Sequence, residues 1–242
     1  MEKVITGDQL DRFAYCNEAF CQKPVRGVAL CFYGLGVSQF FTSYEPLDAL
    51  GRDGILALIP YTNPWSWMNR QAVAYTDELL DAVFAHYQLD PRTPIVLTGS
   101  SMGGQSALVY AANGARRAVA CVVNCPVCDL TYQYTFRNDM ARTMYSALGN
   151  EPGTMEQALR SLSPLHLVDR MPDIDYHLFH CTADALVRID AHSEKFVAAM
   201  QQRGARVTFT RVPDRDHCDL DEAAAAAYDG YIRDAVAAHA VL

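Results

Sequence analysis

Six short apolar runs that alternate with longer stretches of helical spacing constrain this chain more than any other feature. They are VALCFY (28–33), ILALIP (55–60), PIVLTG (94–99), AVACVVN (118–124), YHLFHC (176–181) and RVTFTRV (206–212). Strands that are apolar on successive residues need cover on both faces, which a parallel sheet with crossover helices supplies. Between the runs, MNRQAVAYTDELLDAVFAHY (68–87) places Val73, Leu80, Val83, Phe84 and Tyr87 at helical spacing, and SALVYAANG (106–114) reads as a helix closed by glycine. Further helices are expected from the turn at Gly34–Gly36 to about Leu50, around AHSEKFVAAMQQRG (191–204), and through the alanine-rich 221–241. The predicted architecture is α/β, with a mostly parallel central sheet covered by helices on both faces. Residues 1–27 are expected to add one or two antiparallel edge strands.

The alternation breaks once. The stretch that begins at Cys125 carries CPVCDLTYQYTFRND, a short helical pattern at MARTMYSAL, and LRSLSPLHLVDRMP, and residues 126–174 read as an insertion at the sheet's carboxyl edge. With no internal repeat or linker, residues 1–242 are expected to form one domain. Half of the residues are hydrophobic and the net charge is −8, without a basic run. That balance argues against nucleic acid or an anionic membrane surface as a partner. The charged start, MEKVITGDQLDRF, lacks an apolar signal core, and no run approaches the ~18 apolar residues of a membrane span. A cytoplasmic location is therefore expected. Of eight cysteines, Cys125 and Cys128 have the spacing of half a zinc site or a redox pair, but no second ligand pair follows. No metal is expected, and the thiols read as free and mostly buried.

Gly99-Ser100-Ser101-Met102-Gly103 fits G-x-S-x-G and lies directly between a strand and a helix. A strand turning sharply into a helix strains its corner residue and requires small neighbours two positions away. The corner lifts Ser101 above the carboxyl edge at a helix N-terminus, where partial positive charge favours an oxyanion. A serine hydroxyl then needs a base. Of seven histidines, His86, His192 and His239 fall in helical patterns, and His177 and His180 lie at a strand. His217 stands in the loop VPDRDHCDL after the last strand, which opens at the same edge as Ser101. The orienting acid is open among Asp184, just after the fifth strand, Asp129 after the fourth, and Asp175 before the fifth. The oxyanion donors are expected to be the backbone N–H groups of Met102 and Leu35, the latter in the turn Tyr33-Gly34-Leu35-Gly36.

From about residue 25 onward the chain resembles the α/β-hydrolase superfamily, with the order Ser101, Asp184, His217. His180-Cys181-Thr182-Ala183-Asp184-Ala185-Leu186-Val187 is similar to the H-G-x-x-D-x-x-V segment of the prolyl oligopeptidase-like and dienelactone hydrolase-like branches, and Ser163-Pro164-Leu165 to the S-P-[LI] that precedes it. This resemblance makes Asp184 the preferred acid. Cys181 replaces the usual glycine, and Tyr33 the histidine that often precedes the oxyanion glycine. The hydroxyl of Tyr33 either assists the hole or packs there. With about 25 residues ahead of that region, the peptide-gating β-propeller of prolyl oligopeptidases is not expected, which favours small esters over oligopeptides.

The implied activity is a serine hydrolase that cleaves small carboxylic esters through an acyl-enzyme, without a cofactor. A prolyl oligopeptidase-like peptidase or aminopeptidase is the alternative, followed by a thioesterase, and a non-catalytic scaffold is the rival from another class. The partner is then a small ester or short peptide; oligomeric state is not legible. Aromatic residues at the same edge, Tyr33, Trp65, Trp67 and Tyr132 with Tyr134 and Phe136, are expected at a substrate pocket unless their rings belong to the core.

Overall fold

The computed structural model describes residues 4–37 and 40–241. Seven strands form one sheet: β1 (Ala14–Cys16), β2 (Gly27–Phe32), β3 (Ile55–Pro60), β4 (Ile95–Ser100), β5 (Ala120–Asn124), β6 (Asp175–Cys181) and β7 (Val207–Val212). Their order is β1-β3-β2-β4-β5-β6-β7, and only β1 runs antiparallel, against β3. The six apolar runs are the six parallel strands, and the N-terminal segment contributes one edge strand of three residues.

Both faces are covered because the side chains of each strand alternate between two cores. Val28, Leu30 and Phe32 of β2 join the core that includes Leu79, Leu80 and Val83 of α2 (Arg70–His86), Leu108 of α3 (Met102–Asn113) and Phe196 of α7 (Ser193–Gln202). Ala29 faces the opposite core, with Leu47 and Leu50 of α1 (Glu45–Gly51) and Ile232 and Val236 of α8 (Glu222–His239). The starts of α2 and α8 are set by side-chain caps: Asn69 accepts from the Ala72 N–H at 3.0 Å, and Asp221 from the Ala224 N–H at 2.8 Å. The helix expected from residue 36 is shorter and begins only at Glu45. Pro46 is tolerated in a first turn and not in an interior, so it dates the start of α1.

The insertion folds into α4 (Leu130–Phe136), α5 (Asn138–Leu148) and α6 (Met155–Ser161), where only the middle helix is legible as a pattern. It is fastened to the body rather than perched on it. Met140, Met144 and Leu148 are buried in the α2/α3 core, Asn69 Nδ2 donates to the Ala147 carbonyl at 2.9 Å, and Gln105 Nε2 on α3 donates to the Leu162 carbonyl at 2.9 Å. Among the described residues, no helix is long and apolar enough to cross a membrane. Parallel register brings Ser100, Asn124, Cys181 and Val212, the last residues of β4 to β7, to one edge of the sheet.

Candidate active site

The turn from β4 into α3 is built on two glycines. A Cβ on Gly99 would lie 2.5 Å from the Gly103 carbonyl oxygen and 2.7 Å from that of Phe32, and one on Gly103 only 2.0 Å from Phe32 O. All of these are backbone atoms that cannot swing aside. The corner residue, Ser101, is held at φ 58°, ψ −124°, a conformation that costs a non-glycine residue on the order of 1–3 kcal/mol. Its N–H donates to the Asn124 carbonyl at 2.9 Å, and its carbonyl accepts from Gln105 N at 3.1 Å. The strain is thus maintained by β5 on one side and the first turn of α3 on the other.

Loops after β6 and β7 bring two more groups to this corner. Ser101 Oγ lies 2.9 Å from His217 Nε2, and His217 Nδ1 lies 2.6 Å from Asp184 Oδ2. The tautomer follows: Nδ1–H donates to the carboxylate, leaving Nε2 to accept from the serine hydroxyl. The other oxygen, Asp184 Oδ1, accepts from the N–H groups of Leu186 and Val187 at 2.9 and 2.8 Å, so one carboxylate both caps its turn and orients the imidazole. Burial alone would raise the Asp184 pKa, but donors from His180, His217 and Val187 outweigh it and hold it well below the usual carboxylate range. Burial likewise lowers the His217 pKa, while the Asp184 hydrogen bond and charge raise it by more, leaving it above the ordinary imidazole value. The two loops are tied together by Ala183 N to Arg215 O at 3.0 Å and Asp214 N to Thr182 Oγ1 at 2.9 Å.

The other two acids are engaged elsewhere. Asp129 Oδ1 caps α4 by accepting from Tyr132 N at 3.0 Å. Asp175, at the opposite end of β6, pairs with Arg206 at 2.6 Å. Met102 is the first residue of α3, immediately after Ser101. The turn carrying Leu35 runs beside the serine: a Cβ on Gly34 would lie 3.8 Å from Ser101 Cβ. Tyr33 does not offer its hydroxyl to that space, because Oη donates to the Thr62 carbonyl at 2.5 Å. Its ring instead lines an apolar cavity of about 320 Å³, which reaches Gly34 and Ser100 and is walled by Phe41, Tyr44 and Leu47.

Trp67, expected at the pocket, belongs to the core. It is 1% exposed, and its indole N–H donates to Thr143 Oγ1 of the insertion at 3.1 Å. Left-handed φ values of 46° at Trp67 and 50° at Met68 accompany this burial, and a periodicity argument cannot anticipate them. Trp65 is half-buried at a surface cavity with Asn69, Tyr75 and Ala147, its ring below the Arg142 guanidinium. Tyr132 stacks on Phe136, centroids 5.2 Å apart, with an edge contact to His192.

Three groups near the site escape a sequence reading. His180 is fully buried, with Nδ1 2.7 Å from Ser193 Oγ and Nε2 2.8 Å from the Val187 carbonyl, and so braces the Asp184 turn from behind. His192 is also fully buried. Its Nδ1 accepts from the Cys128 and Asp129 N–H groups, each at 3.2 Å, and its Nε2–H donates to Gln133 Oε1 at 3.0 Å. Cys125 and Cys128 do not form a pair at all. Cys128 lies in the α2/α3 core, whereas Cys125, at φ 45°, turns to the other face beside Cys181, His217 and Cys218.

Residues 73–237, well over half of the chain, match the model of the prolyl oligopeptidase family. No curated protein matches the sequence significantly. Among solved structures, a thermophilic esterase from Thermogutta terrifontis is 20% identical with TM-score 0.67, covering 93% of this chain and 88% of its own. A Pyrococcus horikoshii acylaminoacyl peptidase (14% identical, TM-score 0.66) matches 85% of this chain, and a puromycin-hydrolyzing peptidase of Mycobacterium tuberculosis (15%, 0.74) matches 90%. This chain spans only 36% and 35% of those two peptidases. The sheet order, the glycine-flanked corner and the family match lead to one conclusion: the chain belongs to the prolyl oligopeptidase family of serine hydrolases, with the α/β-hydrolase fold.

Proposed function

We propose that the protein is a serine esterase acting on small carboxylic esters, with Ser101 as nucleophile, His217 as general base and acid, and Asp184 as the orienting carboxylate. The observation that carries the reading is the unbroken hydrogen-bonded chain from Ser101 through His217 to Asp184, 2.9 and 2.6 Å long. In this reading Ser101 Oγ attacks the ester carbonyl while His217 Nε2 takes its proton, and the imidazolium is stabilised by Asp184. The tetrahedral oxyanion develops next to the N-terminus of α3, between the N–H groups of Met102 and Leu35. Collapse expels the alcohol, protonated by His217. Water, deprotonated by the same nitrogen, then releases the acid from the acyl-enzyme. None of these steps calls for a cofactor.

An ester is favoured over a peptide by the surroundings of the corner. A small cavity walled by Phe41, Tyr44, Leu47 and Ile59 reaches Gly34 and Ser100 without being lined by Ser101 itself, and in this reading a short apolar acyl group extends from Ser101 past Gly34 into it. The family match supports the second reading, a peptidase that takes short acylated or free peptides. A panel of p-nitrophenyl esters beside aminoacyl p-nitroanilides separates the two. The esterase reading expects kcat/KM on acetate to butyrate esters to exceed that on every anilide, and the reverse ranking overturns it. A fluorophosphonate should label the wild type and not Ser101→Ala; absence of labelling on folded protein would remove the chemistry altogether.

A further inference from the structure

Behind the catalytic pair lies a second constellation. Cys125 Sγ, Cys218 Sγ and a ring nitrogen of His217 lie within 4.8 Å of one another, and Cys218 Sγ is 3.5 Å from Nε2. Two thiols and an imidazole are a soft, borderline donor set of the kind zinc takes. A tetrahedral ion with Zn–S near 2.3 Å and Zn–N near 2.0 Å sets neighbouring donors about 3.5 to 3.8 Å apart. The observed Nε2–sulfur distance already falls on that scale.

The surroundings match as well. A ligating histidine ordinarily gives its other N–H to a carboxylate, which fixes the ring and strengthens the donor nitrogen. Here that partner is Asp184, at 2.6 Å from Nδ1. Cys125 Sγ accepts the Cys181 N–H at 3.4 Å; the neighbouring Cys218 thiol and burial hold its own pKa well above the ordinary thiol value, so its proton is one that a bound metal has to displace. Cys218 is held at φ 61°, with its carbonyl accepting from Asn124 Nδ2 at 3.3 Å, so its thiol folds back onto the ring of the preceding residue. Cys218 is only half-buried and leaves an approach from solvent. A second group, Cys125 with His180 and Asp184, lies wholly inside, and its histidine is committed to Ser193 and Val187.

We infer that Cys125, Cys218 and His217 Nε2 form an inhibitory site for a thiophilic divalent cation, zinc in the first place. Zinc displaces the two thiol protons and occupies the nitrogen that must receive the Ser101 proton, so the metal-bound enzyme is silent. Regulation by this route rests on the serine hydrolase reading, but occupancy of the site does not.

The test therefore reads binding and labelling separately. Co²⁺, a spectroscopic substitute for zinc, is titrated into wild type, Ser101→Ala, Cys218→Ser and Cys128→Ser. One equivalent should give thiolate-to-cobalt absorption and tetrahedral visible bands in wild type, Ser101→Ala and Cys128→Ser, whose altered thiol faces the other core. The signal should vanish in Cys218→Ser, with the far-ultraviolet spectrum unchanged. In parallel, zinc should suppress fluorophosphonate labelling of the wild type at least tenfold, with recovery on adding a chelator. It should leave whatever labelling Cys218→Ser retains unaffected. Lack of a one-equivalent thiolate signal, or its survival in Cys218→Ser, overturns the site. A thiolate signal in protein that never reacts with fluorophosphonate keeps the site and defeats the hydrolase reading instead.

Discussion

The contact between Asp184 and His217 sets the direction in which pH acts on this molecule. In the proposed mechanism His217 works when neutral, and the carboxylate raises its pKa above the ordinary imidazole value. The acid limb of kcat/KM is therefore expected above pH 6.5. Asp184→Asn should cut turnover by about 10³-fold or more and move the residual limb to lower pH, as a pH–rate profile of the variant would show. An unmoved limb would mean that another group orients the ring. For stability the signs are opposite. A raised His217 pKa contributes stability that is present below the unfolded pKa and lost as pH climbs through the folded one, whereas the depressed Asp184 contributes above its unfolded pKa and loses this on acidification. His217→Ala should likewise lose about 10³-fold in kcat on the preferred ester while retaining the fold; near wild-type turnover would remove it from the mechanism.

At the scale of elements, two glycine substitutions separate tight contact from helix propensity. Gly103→Ala drives a Cβ to 2.0 Å from a backbone oxygen of β2, so the elbow must move. A loss of about 1–3 kcal/mol in a urea titration, with strongly reduced fluorophosphonate labelling, is expected. Gly230 sits within α8, where an added methyl meets nothing within 4 Å, and Gly230→Ala should gain about 0.5–1 kcal/mol by the same titration. The two tryptophans divide similarly. Trp67→Ala should lose about 3–5 kcal/mol, because a fully buried ring and its bond to Thr143 disappear, and Trp65→Ala far less.

These elements also show what the chain discloses before it folds. β2 to β6 are readable because strands buried on both faces become unbroken apolar runs such as ILALIP, and Ser101 because its geometry demands glycine at both 99 and 103. His217 is readable because it follows a strand at the edge where parallel strands end, whereas Asp184 shares that edge with Asp129 and is singled out by the resemblance of residues 180–187. α4 is not, since LTYQYTF is short, aromatic and β-branched, and is held by the Asp129 cap and by tertiary packing. The Cys-x-x-Cys spacing misleads for a backbone reason. Positive φ at Cys125 sends its thiol away from Cys128 and toward residues 56 and 93 positions downstream, Cys181 and Cys218.

For the whole molecule, acid tolerance is expected to depend on a histidine remote from any surface. His192 is held neutral by two backbone donors, and burial lowers its pKa to about 4. The unfolded chain binds a proton near pH 6.5 that the native state refuses, so stability should fall between pH 6.5 and about 4, by up to about 1.4 kcal/mol per pH unit. Urea midpoints of the wild type across that window should slope more steeply than those of His192→Asn, whose amide oxygen still accepts but does not titrate. Parallel slopes would place the acid sensitivity elsewhere.

The buried amide of Gln105 has a wider consequence. From the first turn of α3 it donates to Trp67 O in the loop after β3, at 3.1 Å, and to Leu162 O at the end of α6. Opening any one of these three segments strands a polar group without solvent, so none can open cheaply alone. In native-state hydrogen exchange, amides of α3, of residues 66–69 and of α5 and α6 should then share one opening free energy and one denaturant dependence, as a single cooperative unit. The Ser101 corner and the segment inserted beside it would breathe together, and substrate would enter a site whose walls yield only by sub-global unfolding.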